Sequence, residues 1–171
     1  NTKDFFSSIL ERVDWRKDLH FQTKTTMDTL DYSSEELNFG SKVIIAACGD
    51  KKRKLARRIP ENLKLSKNFT GPSMISNGIM ALKASSFLSY KQATEEISEL
   101  TNILKEQDLK EIPLIILCDD SLFCSQRFDN FLWVTFTRSN PSHDIYGVES
   151  FTQFKHWGAT KSLIIDARIK P

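Results

Sequence analysis

Apolar residues recur at helical spacing in some stretches of this chain and gather into short continuous runs in others. Phe5, Phe6, Ile9, Leu10 and Val13 predict an amphipathic helix over residues 4–13. Ala93, Ile97, Leu100 and Leu104 share one helical stripe and predict a helix over residues 90–107, with Glu95, Glu96 and Glu99 on its other face. A third helix is expected from a Ser125 cap through residue 137. Phe128, Leu132 and Phe136 mark one of its stripes, and Phe131 and Val134 another. That helix is apolar nearly all round, so it belongs in a core or an interface.

The strand patterns are shorter. Residues 18–23 alternate, and residues 41–48 (SKVIIAAC) form a β-branched apolar run ended by Gly49, which predicts a buried strand. Residues 79–84, 112–118, 144–148 and 162–167 read as further strands, with Pro113 near the start of its run where a missing N–H is tolerable. The acidic stretch 25–40 reads as a long loop, and in residues 50–78 turn formers outnumber periodic positions. Alternation of helices with buried strands predicts an α/β class: one layered α/β/α domain over residues 1–171 with a mostly parallel sheet.

Composition narrows the class. A chain of 171 residues can bury one real core. Its mean hydropathy of −0.35, with no apolar run near the ~20 residues needed to cross a bilayer, argues against an integral membrane protein. The start, Asn1-Thr2-Lys3-Asp4, has neither an initiator Met nor the basic and apolar regions of a signal peptide, so a segment of a longer cytoplasmic protein is expected. Cys48, Cys118 and Cys124 form no CxxC pair, and Cys48 and Cys118 sit in apolar strand patterns. Reduced structural cysteines are expected, without a metal site.

Candidate chemistry is sparse. Lys51, Lys52, Arg53, Lys54, Arg57 and Arg58 form a basic run that suits phosphates or nucleic acid. No aromatic residue is interleaved to stack bases, and such runs are commonly solvated loops, so no nucleic-acid partner is expected. Asp119 and Asp120 end a buried strand where open α/β sheets bind ligands, and two carboxylates suit Mg²⁺. The structural alternative, a helix cap or a pairing with Arg127 or Arg138, is favoured. Neither a glycine-rich phosphate loop nor a GxSxG elbow occurs, and His20, His143 and His156 lack a sequence-linked nucleophile. Residues 153–158 place Phe154, His156, Trp157 and Gly158 in a loop between strands, either as a functional loop or as one anchored in the core by Trp157.

The order of elements from residue 112 onward adds a family. A strand closes with Cys118-Asp119-Asp120. A helix carries Phe131-Leu132-Trp133-Val134 and ends at Thr137-Arg138. Then come Asn140-Pro141-Ser142-His143-Asp144 and a late strand with Asp166-Ala167. This succession, loosely supported over residues 50–110 and by Thr26-Met27-Asp28-Thr29-Leu30-Asp31-Tyr32, resembles the C-terminal domain of UbiD-type decarboxylases. The resemblance implies reversible decarboxylation of aromatic or α,β-unsaturated carboxylic acids, in ubiquinone or menaquinone biosynthesis or elsewhere. It also implies prenylated FMN with a divalent metal and often potassium, with catalytic and metal-binding residues in upstream domains. By this resemblance the segment is inactive alone and self-associates as a dimer or hexamer. It lines the substrate pocket with Phe154, His156 and Trp157, while Lys105 or Lys110 falls near a position that touches the cofactor phosphate in some members. The rival reading is a non-catalytic polyanion-binding module built on residues 51–58.

Overall fold

The computed structural model describes residues 1–26 and 40–170. The loop expected over residues 25–40, and the family-like segment within it, therefore lie almost wholly outside the described residues. Helix α1 (Thr2–Arg12) leads into a two-stranded antiparallel ribbon, β1 (Leu19–Thr25) with β2 (Gly40–Ile45). A five-stranded sheet follows, built from β3 (Phe69–Ser76), β4 (Ile79–Ala84), β5 (Leu114–Cys118), β6 (Ile145–Gly147) and, last in the chain, β9 (Leu163–Asp166). Helix α2 (Tyr90–Leu104) connects β4 to β5. Three shorter helices, α3 (Ser121–Gln126), α4 (Phe128–Arg138) and α5 (Pro141–Asp144), connect β5 to β6. The hairpin of β7 (Ser150–Gln153) and β8 (His156–Ala159) stands between β6 and β9.

The sheet order is β3-β4-β5-β9-β6. Its centre, β4, β5 and β9, is parallel, but β3 and β6 run antiparallel at the edges. The sheet is thus mixed, not mostly parallel. For β3 the reason is local: only Asn77 and Gly78 separate it from β4, and a parallel neighbour would need a crossover of a dozen residues. Gly78 takes a φ of +76°, and a Cβ there would lie 2.7 Å from Leu55, so the turn requires glycine twice over.

Strand residues alternate between two apolar clusters. Ile79, Ala81, Leu114, Ile116 and Leu163 pack with Leu10, Val13, Trp15, Phe131 and Val134, whereas Met80, Leu82, Ile115, Leu117 and Ile164 pack with Ile97, Leu100 and Leu104 of α2. Trp15 is central to the first cluster. Its indole N–H donates to the Pro113 carbonyl at 2.9 Å, and its own carbonyl accepts from Ala159 at 3.2 Å.

Several expectations change here. Strand β2 is short and exposes Lys42, Ile44 and Ile45 rather than being buried throughout, because among the described residues it pairs with β1 alone, and Cys48 beyond it is exposed. The expected helix from Ser125 is two helices. Asp120 caps α3 by accepting from Phe123 N–H at 3.0 Å, and Arg127 begins α4 without a side-chain cap. Residues 69–76, read as turn-rich, form an edge strand, and residues 153–158 belong to a hairpin rather than a loop. Cys118 and Cys124 are buried free thiols. Contact with Cys124, together with burial, pushes the Cys118 thiol up and keeps it protonated.

Candidate functional site

The carboxyl ends of β4, β5 and β9 are where an open α/β sheet offers a crevice. In this protein the chain's own charges fill it. Arg168 is fully buried and makes a forked contact with Asp166, Nη2 donating to Oδ2 at 2.7 Å and Nε to Oδ1 at 2.9 Å. Its Nη1 donates to Glu96 Oε2 at 2.9 Å and to the Ser85 carbonyl at 3.0 Å. Glu96 was expected on the solvent face of α2, yet it lies one turn before Leu100 and three residues after Ala93, which puts it on the apolar stripe. Burial pushes its carboxyl up, but hydrogen bonds from Gln92, Arg168 and Ser85 outweigh burial and hold it below the usual range.

Beside this network lies a second ion pair. Lys170 Nζ sits 3.3 Å from Asp144 Oδ1, but it donates to the backbone carbonyls of Asp166 at 2.9 Å, Arg138 at 3.0 Å and Arg168 at 3.4 Å. Those three bonds use all of the ammonium protons, leaving Oδ1 without a hydrogen bond while Oδ2 accepts from Asn140 N–H at 2.6 Å. Burial therefore pushes Asp144 up to about 6, against the pull of Lys170 and Asn140. Because the folded value exceeds the unfolded one of 3.8, the native state holds a proton that the unfolded chain has released between these two pH values. The contribution of this group to stability rises as pH falls through that window and is lost as pH climbs past the folded value. Asp144→Asn is expected to be more stabilising, or less destabilising, at pH 7 than at pH 4 by on the order of 2 kcal/mol. Urea midpoints of both proteins at the two pH values check this, and an equal difference at each would refute it.

Asp119 and Asp120 take structural roles. Asp119 accepts from Arg138 at 3.3 Å and from Ile169 N–H at 2.9 Å, Asp120 caps α3, and Arg127 pairs with Asp129 instead. Among the described residues, no three His, Cys, Asp or Glu side chains gather as a metal site would need. With Arg168, Lys170 and Asp119 committed to protein partners, the strand ends do not fit a flavin phosphate or a divalent ion.

The three predicted pocket residues lie on the hairpin but face different ways. Phe154 and Lys155 form its turn, with φ of 51° and 64°, and Phe154 is 93% exposed. His156 Nε2 lies 3.0 Å from the Arg16 carbonyl, and its ring is 6.3 Å from that of His20. Trp157 is half-buried, edge-on to Phe21 at 5.6 Å, so it anchors the hairpin to the ribbon. His156 and Trp157, with Lys155 but without Phe154, line an open groove of about 420 Å³ together with His20, Phe21, Ser142 and Ile145. Gly158 packs against the backbone of residues 15 and 16, where a Cβ would come within 2.9 Å of the Trp15 carbonyl.

The basic run is docked rather than loose. Lys52 N–H donates to the Glu11 carbonyl at 2.7 Å and Arg53 Nη1 to the Leu10 carbonyl at 2.6 Å, so the segment satisfies the last carbonyls of α1 and sets positive charge against the negative end of its dipole. Lys51 pairs with Glu11 at 2.8 Å and Lys52 with Asp18 at 3.8 Å.

This architecture defines an α/β domain with a self-neutralised polar cluster at its strand ends and grooves at its margins. Residues 1–47 match the family model of the 3-octaprenyl-4-hydroxybenzoate carboxy-lyase C-terminal domain, the opposite end of the chain from the motifs that begin at residue 112. The whole chain is 30% identical over 172 residues to a protein of Chlamydia trachomatis serovar D and 29% identical over 171 residues to one of Chlamydia muridarum, covering 28% of each relative. A Chlamydia pneumoniae protein named as a 4-hydroxybenzoate decarboxylase subunit is 32% identical over 166 residues, which is 96% of this chain and 26% of that protein. No solved structure matches the chain. The family match over residues 1–47 and the named relative support a UbiD-family C-terminal domain.

Proposed function

We propose that the chain is the assembly and pocket-lining part of a UbiD-like (de)carboxylase acting on aromatic or α,β-unsaturated carboxylic acids. The observation that carries this reading is the alignment of 96% of the chain with only 26% of a protein named as part of a decarboxylase. The parent would be a cytoplasmic enzyme, with the remaining three quarters holding prenylated FMN, a divalent metal and potassium together with the acid–base residues. The committed charges at the strand ends support that division of labour. No helix among the described residues is long and apolar enough to cross a membrane.

Self-association is supported by an apolar surface on α1, α3 and α4. Trp133 is 63% exposed, and Phe5, Leu122, Phe123 and Phe136 are exposed as well. Phe6 ties part of this surface together, with its ring 6.3 Å from both Phe5 and Phe136. Exposed apolar side chains clustered in this way favour burial against a partner. The face that the helical pattern assigns to a core or an interface is therefore divided: Phe131 and Val134 enter the core, while Trp133 and Phe136 point outward.

The test uses the full-length protein. Supplied with prenylated FMN and a divalent metal, it should release CO₂ from 4-hydroxybenzoate or other unsaturated acids, whereas residues 1–171 alone should not. Trp133→Asp with Phe136→Asp should shift the assembled protein to a smaller species in sedimentation velocity. Turnover by the isolated segment, or an unchanged sedimentation coefficient, would contradict the reading.

A further inference from the structure

From the docked basic segment we infer a second ligand site, a groove that takes a small molecule bearing a phosphate or diphosphate group. Two depressions of about 580 and 500 Å³ share Lys52, Arg53, Asp108, Leu109 and Lys110 as a common wall. Residues 51–58 reach Glu111 through Ala56 N–H, which donates to its carbonyl at 2.8 Å, and this bond sets the segment against the turn after α2. Cations then converge from three stretches of chain. Lys54 and Arg58 come from the docked segment, Lys105 and Lys110 from the turn, and Lys161 from the approach to β9.

The charge balance favours an anion. Glu149 is taken by Lys161 at 2.9 Å and by the Thr160 hydroxyl, and Asp108 accepts from Lys110 N–H at 3.4 Å. Lys54, Arg58, Lys105 and Lys110 have no ion-pair partner among the described residues, and with Arg53 they outnumber the unpaired carboxylates of Glu106, Asp108 and Glu111 that share the two depressions. Arg53 is half-buried and gives only Nη1 to the protein, so its guanidinium keeps further donors for an incoming oxygen. Burial pulls the guanidinium below its ordinary value against the opposing pull of Asp14, and a bound anion would offset that cost. A nucleic acid is disfavoured: the depressions are pocket-sized, and Trp15 is 3% exposed and buried in the core, leaving no base-stacking platform.

The site stands apart from the strand-end network and does not depend on the decarboxylase reading. Its test is calorimetric titration of inorganic pyrophosphate into the full-length protein free of flavin, at low and moderate salt. One saturable event weakened by salt is expected. Arg58→Ser with Lys110→Ser should weaken it at least about tenfold, since the pair removes two charged donors from the walls of the groove. Lys54→Ser with Lys105→Ser is a second surface pair expected to act in the same direction. Absence of saturable heat at millimolar pyrophosphate, or an isotherm indifferent to both pairs, would overturn the assignment. So would tight binding of an oligonucleotide that pyrophosphate does not displace.

Discussion

Arg168→Ala is expected to destabilise the fold by about 3–5 kcal/mol, because it leaves buried carboxylates without their cation. Asp166 and Arg168 are each fully buried, and Glu96 nearly so. Among the described residues the guanidinium is the only cation paired with either carboxylate, it also holds the Ser85 carbonyl, and it lies 5.5 Å from the Phe87 ring centre. Removal therefore tears a connection between the ends of β4 and β9 and the body of α2. Lysine should recover little of the loss, since one ammonium cannot reproduce the fork to Asp166 while reaching Glu96. Urea unfolding of the chain reads the effect directly. A midpoint shift of less than about 1 kcal/mol equivalent would mean that the network relaxes or admits water.

Trp15→Ala is expected to cost a similar amount, about 3–5 kcal/mol, through the cavity left by a large aromatic side chain. The indole is 3% exposed, packs within the cluster that joins α1 and α4 to the sheet, and holds the Pro113 carbonyl. Trp15→Phe restores most of the volume but not the N–H. Its smaller loss, of order 1–2 kcal/mol, would separate packing from the hydrogen bond. Equal losses in the two variants would place the whole effect on the hydrogen bond and contradict the cavity argument.

Much of the fold was legible because burial imposes period. The runs 79–84, 112–118 and 162–167 became β4, β5 and β9, and the Ala93-Ile97-Leu100-Leu104 stripe became the buried face of α2. Edge strands were harder to read, because they bury fewer residues and tolerate breakers. In β3 the Gly71-Pro72 pair sits at a register shift, so the segment looks like a turn until Asn77-Gly78 is taken as a hairpin connection flanked by Met74-Ile75 and Ile79-Met80. Strand β2 misled in the other direction: Val43 packs against the core, but the apolar Ile44 and Ile45 after it stay exposed.

The candidate site was less legible than the fold. Asp119 and Asp120 drew notice as an adjacent pair, yet the more deeply buried charges, Glu96, Asp144, Asp166 and Arg168, come from three distant stretches of chain. Glu96 alone carried a usable signal, as a charge inside an apolar stripe. The docking of residues 51–58 could not be read from their charge, because it depends on where α1 ends.

The two edges of the central sheet bear on how copies of such a domain can meet. On one side β6 has three residues, and on the other β3 carries a proline and a displaced register. Neither presents a long, flat row of free amides and carbonyls, so growth of the sheet by strand addition from molecule to molecule is blocked at both margins. Blunting both margins therefore disfavours fibrous aggregation through the central sheet, including while the chain is being made.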